Sequence, residues 1–336
     1  MGERVRIQDI AEELGLSTAT VSNVIHGKTK RVSKETVKRV QALLERRQYI
    51  PSMAGVLLAQ NNSRIIGVVI NDHPKYEGRV LEDAFIASAV NALSAEIERA
   101  GYFMMVKPTA AWNEIIRYAS MWNMEGLILL GFCQSDYREL RDNIRIPLVV
   151  YDGFFPESPR TCNLVADNYD GGYQAGRYLR RMGHRRVLCL ADNEVCMDKD
   201  RMDGCRAGMG GGTDFWEIPM VKTDRARFYE AHLAELLSYT AVFAASDVYA
   251  VELMLFLQRK GVAIPGDISV VGFDNIPLCD SVYPGLTTVG QDTGERARRA
   301  LAALEALKAG PMDQPLQVLP VRLVERESVR RIDSDA

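Results

Sequence analysis

The 336-residue sequence has only four histidines and six cysteines, and neither type is clustered. His26, His73, His184 and His232 are too far apart for a local metal-ligand motif, and Cys133, Cys162, Cys189, Cys196, Cys205 and Cys279 contain no C-x-x-C pair. No metal site is expected, and in a reducing compartment the cysteines read as buried free thiols. No apolar run approaches the roughly 18 residues needed to span a bilayer. The first residues carry Glu3, Asp9, Glu12 and Glu13 where a secretory signal needs an apolar stretch. A cytoplasmic protein without membrane association is expected. A nucleophile elbow, a Walker loop and a metal-hydrolase motif are also missing. No catalytic residue and no cofactor is therefore assigned, which disfavours an α/β enzyme acting on a sugar or nucleotide. Gly208 to Gly212 lacks the strand-then-helix context of a phosphate loop and reads as a flexible connection.

What is present is a globular composition, 47% hydrophobic and 25% charged, in a chain long enough for two or three domains. Charge is unevenly distributed. Residues 1–62 hold ten Lys/Arg against six Asp/Glu, a net of +4 in a chain of net −3, so the remainder carries −7. A small basic head on an acidic body suits a polyanion-binding module joined to something that does not bind polyanions.

In that head, Ile7, Ile10, Ala11 and Leu14 follow the i, i+3, i+4, i+7 spacing of an apolar helix stripe. Gly15 supplies a residue that can take positive φ, so the helix is expected to stop there. Ser17 is a favourable N-cap for a second helix, with Val21, Val24 and Ile25 inward and Thr18, Ala19, Ser22 and Asn23 outward. Two short helices joined by a glycine turn make a helix-turn-helix, whose second helix can enter a DNA major groove. A plain helical hairpin has the same local pattern. The basic segment Lys28 to Arg31 follows, then Ser33 as the N-cap of a third helix with Val37, Val40 and Leu44 buried. Pro51 ends it. Ser52 to Gln60 has a cap and length for about two turns of helix, too short to be stable alone and suited to folding on binding.

From Arg64 onward, short apolar runs alternate with helical stretches. The expected strands are Ile65 to Ile70, Phe103 to Val106, Leu127 to Leu130, Leu148 to Tyr151, Val187 to Ala191, Ala241 to Ala244 and Ile268 to Val271, with a helix over Ala84 to Ala100. Such strands imply parallel sheets covered on both faces, and about 270 residues of this texture imply two doubly wound α/β subdomains. Ligands of open sheets bind beyond the carboxyl ends of the strands. The residues there are Asn71-Asp72, Asp152-Gly153, Asp192-Asn193, Ser246-Asp247 and Asp274-Asn275. This rim suits hydroxyl-bearing or cationic ligands better than phosphate, although Asp and Asn are also ordinary caps and turn residues. Gly183-His184-Arg185-Arg186 reads as a helix C-terminus, a C′ glycine followed by cations that favour the negative helix end. The expected division is a helix-turn-helix domain over 1–50, a hinge helix and linker over 51–63, a two-subdomain core over 64–328 and a short tail over 329–336 without coiled-coil heptads.

The chain resembles the LacI/GalR family of bacterial transcriptional repressors over nearly its whole length. At the front the resemblance rests on Ile7-x-Asp9-Ile10-Ala11, Gly15-x-Ser17, Thr20-Val21-Ser22, Val32-Ser33 and Tyr49-x-Pro51. In the body it rests on Asp167-Asn168-Tyr169-x-Gly171-Gly172, Gly183-His184-Arg185-Arg186, Arg201-x2-Gly204, the run Ile264 to Asp274, and Leu286-Thr287-Thr288-Val289. It implies a homodimer that places one recognition helix in each half of a near-palindromic double-stranded operator. It also implies a periplasmic-binding-protein-like core with a small-molecule effector, a sugar or sugar derivative, between its subdomains.

By position the resemblance assigns Ser17, Thr18, Ala19, Thr20, Ser22, Asn23, Lys28 and Ser33 to DNA, with the hinge residues Met53, Ala54 and Leu58, the last as a minor-groove wedge. Many relatives carry arginine where Asn23 stands. Asp152, Arg201, Ser246, Phe273 and Asp274, with Asp72, are assigned to the effector. Ser246 replaces an asparagine common in sugar-binding relatives, and Phe154, Phe155 and Trp216 are candidates for a stacking face. A solute-binding protein, or a corepressor-dependent regulator with a non-sugar ligand, is the alternative.

Overall fold

The computed structural model describes residues 5–49, 63–133, 140, 143–155, 158 and 160–332. It divides into two compact units, residues 1–63 and 64–336.

In the first unit, helices α1 (Ile7–Leu14), α2 (Thr18–Ile25) and α3 (Lys34–Arg46) enclose a core of Ile10, Ala11, Val21, Val24, Val40 and Leu43. Gly15 closes α1 at φ +64°, and the Leu16 N–H donates to the Ala11 carbonyl at 2.9 Å. Each following helix is capped as its sequence suggests. Ser17 Oγ accepts from the Thr20 N–H and Ser33 Oγ from the Thr36 N–H, both at 3.1 Å. In α3 the buried pair is Val40 and Leu43, while Val37 and Leu44 are only half-buried. The helix touches both α1 and α2, so its buried arc is centred between the two contacts rather than on the expected stripe. Glu13 of α1 pairs with Arg46 at 2.5 Å and Arg47 at 2.6 Å, joining the first helix to the end of the third. Met53, Ala54 and Leu58, with the hinge helix expected over 52–60, lie outside the described residues.

The second unit holds two six-stranded sheets. The first contains β1 (Ile65–Ile70), β2 (Phe103–Pro108), β3 (Gly126–Leu130), β4 (Leu148–Tyr151), β5 (Thr161–Ala166) and, from late in the chain, β11 (Leu316–Leu319). Their spatial order is β2-β1-β3-β4-β5-β11, all parallel. The second contains β6 (Val187–Ala191), β7 (Thr213–Glu217), β8 (Ala241–Ala244), β9 (Ser269–Asp274), β10 (Thr287–Gly290) and β12 (Arg322–Val324), ordered β7-β6-β8-β9-β10-β12 with only β12 antiparallel. Residues 167, 291–292 and 320–321 lie where the chain leaves one half for the other. All three crossovers fall at the edge of the first sheet made by β5 and β11 and that of the second made by β10 and β12.

Strands β1, β4, β6 and β8 lie at the expected residues, because each is buried along its full length and reads as an unbroken apolar run. The sequence reading missed β5, β7, β10, β11 and β12. Strand β5 is broken by Asn163, whose side chain is satisfied inside the sheet by the Phe155 N–H and carbonyl at 2.9 and 2.7 Å. Strands β7, β11 and β12 are edge strands with half-exposed residues, so their apolar signal is diluted.

Helix α4 (Ala84–Arg99) spans the expected segment. Residues 329–332 remain on the core: Val329 is buried and the Ile332 N–H donates to the Met182 carbonyl at 2.7 Å. His184 is wholly buried beside them, its ring nitrogens 2.9 Å from Thr240 Oγ1 and 3.2 Å from the Arg330 carbonyl. It is therefore not one of the helix-end cations expected from sequence, because burial lowers its pKa to about 4. An unfolded chain takes up that proton near pH 6.5, whereas the folded one resists until about 4. Stability is thus expected to fall as pH drops through this window, by about 1.4 kcal/mol per unit and about 3 kcal/mol in all. Urea denaturation between pH 7 and 4.5 checks this, with a shallower slope expected for His184→Gln.

Candidate functional site

The position of Arg201 in the second unit depends first on a close approach of two helices. Helices α6 (Asn168–Arg181) and α7 (Cys196–Met209) pack glycine against backbone. A β-carbon on Gly172 would lie 2.0 Å from the Arg201 carbonyl oxygen, and one on Gly176 would lie 2.2 Å from that of Cys205. In return, one on Gly204 would lie 2.0 Å from the Tyr169 carbonyl oxygen and one on Gly208 would lie 2.3 Å from that of Tyr173. Gly208 therefore belongs to a packed helix rather than to the flexible connection expected at 208–212; only residues 210–212 form the loop. This contact fixes where α7 presents Arg201. Gly172→Ala is expected to cost about 1–3 kcal/mol through overpacking and to weaken effector binding by displacing Arg201, read by thermal denaturation and ligand titration.

Arg201 is buried, and each side of its guanidinium is engaged. Nε donates to Asn168 Oδ1 at 2.8 Å and Nη1 to the Ala245 carbonyl at 2.6 Å. Nη1 lies 3.6 Å from Asp274 Oδ1, and the group stacks 3.8 Å above the Phe273 ring. Burial raises the Asp274 carboxyl well above the ordinary range, against the pull of Arg201. Asp274 at the end of β9 has φ +121° and Asp152 at the end of β4 has φ +58°. Positive φ is unusual for a residue with a β-carbon and here concentrates at the cleft.

A chain of hydrogen bonds joins these two carboxylates. Gln291 Nε2 donates to Asp274 Oδ1 at 2.7 Å, Arg296 Nη1 to Gln291 Oε1 at 2.6 Å, and Arg296 Nη2 to Asp152 Oδ1 at 3.0 Å. Arg296 opens the buried side of α12 (Thr293–Ala309), which packs on the first sheet, and reaches Gln291 in the crossover segment. Asp247, at the start of α10 (Asp247–Arg259), holds the loop after β9. It accepts from the Ile276 N–H at 3.0 Å and from Thr288 Oγ1 at 2.5 Å.

The resulting cavity, about 730 Å³ including the part open to solvent, lies between the two sheets' carboxyl ends. Lys75, Tyr76, Asp83, Phe85 and Asp152 line it from one side, and Met197, Asp198, Arg201, Arg225, Ser246, Val248, Tyr249 and Asp274 from the other. Asp152, Arg201, Ser246 and Asp274, expected at the effector, come together here. Asp72 does not line it, being exposed beyond β1, and Phe273 lies beneath Arg201 as a support. None of the proposed stacking residues reaches the cavity. Phe155 packs on Trp112, Phe154 is exposed, and Trp216 packs among Phe228, His232 and Tyr239. The aromatic lining comes instead from Tyr76, Phe85 and Tyr249.

Sequence reading also missed Lys75, Asp198, Gln291 and Arg296. They sit in loops or on helices, where neither strand ends nor motifs mark them. Asp198 is pushed up to about 6 by burial. Burial also works to raise Asp192, but the Lys75 ammonium and the Asn193 side chain, which donates to its Oδ1 at 2.8 Å, hold it below the usual carboxylate value. Among the described residues no group of three or more His, Cys, Asp or Glu side chains is arranged to hold a metal ion, and no helix is long and apolar enough to cross a membrane.

In the first unit, Ser17, Thr18, Ala19, Asn23, Lys28 and Ser33 are exposed, while Thr20 and Ser22 are half-buried. The outward face of α2 thus carries small and amide side chains between two capped helix N-termini.

Two family models match in order: "Bacterial regulatory proteins, lacI family" over residues 6–52 and "Periplasmic binding protein-like domain" over residues 177–329. The chain is 29% identical to the HTH-type transcriptional repressor PurR of Vibrio atlanticus, over 97% of its own length and 99% of that protein's. The chain belongs to the LacI/GalR family of transcriptional regulators. The PurR repressor of Aliivibrio fischeri is likewise 29% identical to this regulator, covering 96% of the chain and 98% of the relative. Among solved structures, the lac repressor dimer bound to operator and the anti-inducer ONPF aligns at a TM-score of 0.81 and 22% identity, over 98% of the regulator and all of that chain. The CelR–cellobiose complex aligns at 0.68 and 22%, over 97% and 100%. These likenesses bear on the fold. The curated relatives are repressors, not enzymes.

Proposed function

We propose that this regulator is a cytoplasmic, homodimeric repressor whose affinity for a near-palindromic operator is set by a polyhydroxylated effector, neutral or cationic, bound between its α/β subdomains. The observation that carries the reading is the Arg201–Asp274 pair facing Asp152 across a cavity rich in carboxylates. Arginine donates in a fixed fork and carboxylates accept, so such a set grips neighbouring hydroxyl groups from both sides. Four carboxyl groups, Asp83, Asp152, Asp198 and Asp274, line the cavity with three cations, Lys75, Arg201 and Arg225, the last paired with Glu252 at 2.9 Å, so the lining offers both acceptors and donors to hydroxyl groups. The sugar-bound neighbours in the family fold agree with this class.

The rings of Tyr76, Phe85 and Tyr249 favour a second reading, a flat nitrogen heterocycle acting as corepressor. A thermal-shift panel of sugars, amino sugars, polyols, sugar phosphates and nucleobases tests both, since a ligand at about 100 times its dissociation constant adds about 2.7 kcal/mol. Stabilisation by a sugar or amino sugar supports the first reading. A response to nucleobases alone selects the second.

On the operator side, Thr18, Ala19 and Asn23 are proposed to meet base edges, with Ser17, Thr20, Ser22, Lys28 and Ser33 on phosphates and Leu58 as the wedge. Asparagine pairs with adenine and arginine with guanine in the major groove. Asn23→Arg is therefore expected to switch one symmetric operator position from adenine to guanine, by about 1–3 kcal/mol per contact. Selection from a randomised duplex pool reads this directly.

A further inference from the structure

Four of the six cysteines, Cys162, Cys189, Cys205 and Cys279, are buried free thiols, as the sequence suggests. Cys133 and Cys196 are not: they form a disulfide, with Cα atoms 6.6 Å apart and a separation of 63 positions in sequence. Their positions set them apart further. Cys133 follows β3 in the first sheet and bridges Phe154, next to the cavity residue Asp152. Cys196 opens α7, the helix of the other subdomain that brings Met197, Asp198 and Arg201 to the cavity. Cys133 is half-buried and Cys196 exposed.

The link therefore joins the two lips of the cleft. The chain's own crossovers all lie at the edge formed by β5 and β11 in one sheet and β10 and β12 in the other. Strand β3 is two places in from β5, and β6, which leads to Cys196, is three places from β10. A covalent tie there opposes rotation about the crossovers, which no tie at the hinge edge would do.

We propose that Cys133 and Cys196 form a reversible redox clasp that locks the subdomains of the effector cleft against opening. In a reducing compartment such a bond is transient and sensing rather than structural. With hydrogen peroxide as oxidant, the exposed Cys196 thiolate attacks one peroxide oxygen, the O–O bond breaks, and hydroxide leaves and is protonated to water. The Cys133 thiol then attacks the sulfenic sulfur; the S–O bond breaks, and the departing hydroxide leaves as water with the thiol proton. Two thiols are oxidised, one peroxide is reduced to two waters, and a dithiol reverses the bond by exchange. The clasp adds an input that is independent of effector identity: an oxidised regulator exchanges ligand slowly and stays in whichever state it held.

Full-length protein reduced with dithiothreitol, desalted, and treated with stoichiometric hydrogen peroxide tests this by alkylation and peptide mapping, with hydrogen exchange in parallel. A Cys133–Cys196 linked peptide is expected from wild type and from neither C133S nor C196S. In oxidised wild type, amides of residues 72–85 and 192–201 are expected to exchange at least about threefold more slowly than in the reduced protein. In C196S the oxidant is expected to change nothing. Full alkylation of both cysteines after peroxide would overturn the proposal, as would a linked peptide without slower exchange. Reduced and oxidised wild type are the same chain, so a poorly folding variant leaves the comparison intact. Neither readout uses DNA or effector, so the clasp and the functional reading fail separately.

Discussion

Arg201→Ala is expected to abolish the effector response while leaving operator binding by the effector-free protein intact. Arg201 is held by Asn168 and the Ala245 carbonyl, rests on Phe273, and presents its remaining donors beside Asp274 at the cavity wall. Losing one partner of a buried, hydrogen-bonded charge pair costs about 2–5 kcal/mol, at least about 30-fold in affinity. The variant also leaves the Asp274 carboxyl, already raised by burial, without its cation, so that group takes up a proton and ceases to act as an anionic acceptor. Titration of the effector found by the panel, followed by operator binding with and without it, is the measurement. Arg201→Lys separates charge from geometry, because lysine restores a cation but not the planar fork. A normal response in Arg201→Ala would remove the cleft from the proposed mechanism.

Arg296→Met is expected to have the largest effect on stability, a loss of about 3–5 kcal/mol, because it leaves a buried carboxylate without its partner. Arg296 is 1% exposed, and its Nη2 serves both Asp152 Oδ1 and the Leu164 carbonyl at 3.0 Å while Nη1 reaches Gln291. Removing it strands Asp152 and cuts the hydrogen-bond chain from Asp274 across the crossover. Urea denaturation of the full chain measures the first effect. The second appears as a smaller change in operator affinity when effector binds. If the cost resides in the stranded carboxylate, Asp152→Asn combined with Arg296→Met recovers a measurable part of the stability. A loss under about 1 kcal/mol would mean that solvent reaches Asp152 freely and that the network carries no coupling.

The clasp and the network act at different places on the same two-part body. The network runs through the crossovers, where the chain itself bends, and the disulfide spans the lips. One ties the positions of the two carboxylates to each other, and the other limits how far the halves separate.

Local patterns in the sequence were sufficient for the head and for the grain of the body. Ile10, Ala11, Val21 and Val24 occupy one helical face each, Gly15 takes the positive φ that ends α1, and Ser17 and Ser33 cap as their side chains allow. Unbroken runs such as Ile65 to Ile70 mark strands buried on both faces, and after some strands the polar residue falls at the cleft, as with Asp152 and Asp274 but not Asp72. These features follow from interactions within a few residues, so periodicity and spacing reveal them.

Tertiary structure decided the rest. Asn163 is tolerated inside β5 only because Phe155, eight residues away, satisfies its amide. Gly172 and Gly204 need to lack a side chain only because another helix's backbone lies against each. Arg296 reaches Asp152 across 144 residues of sequence. Cys133 and Cys196 read as two more scattered thiols until folding set them 6.6 Å apart on opposite lips of the cleft. Each of these depends on what a distant segment places opposite the residue, and no local pattern carries that information. The fold class and the helix-turn-helix could therefore be read from the chain, while the full lining of the cleft and its disulfide appeared only when the two sheets were brought together.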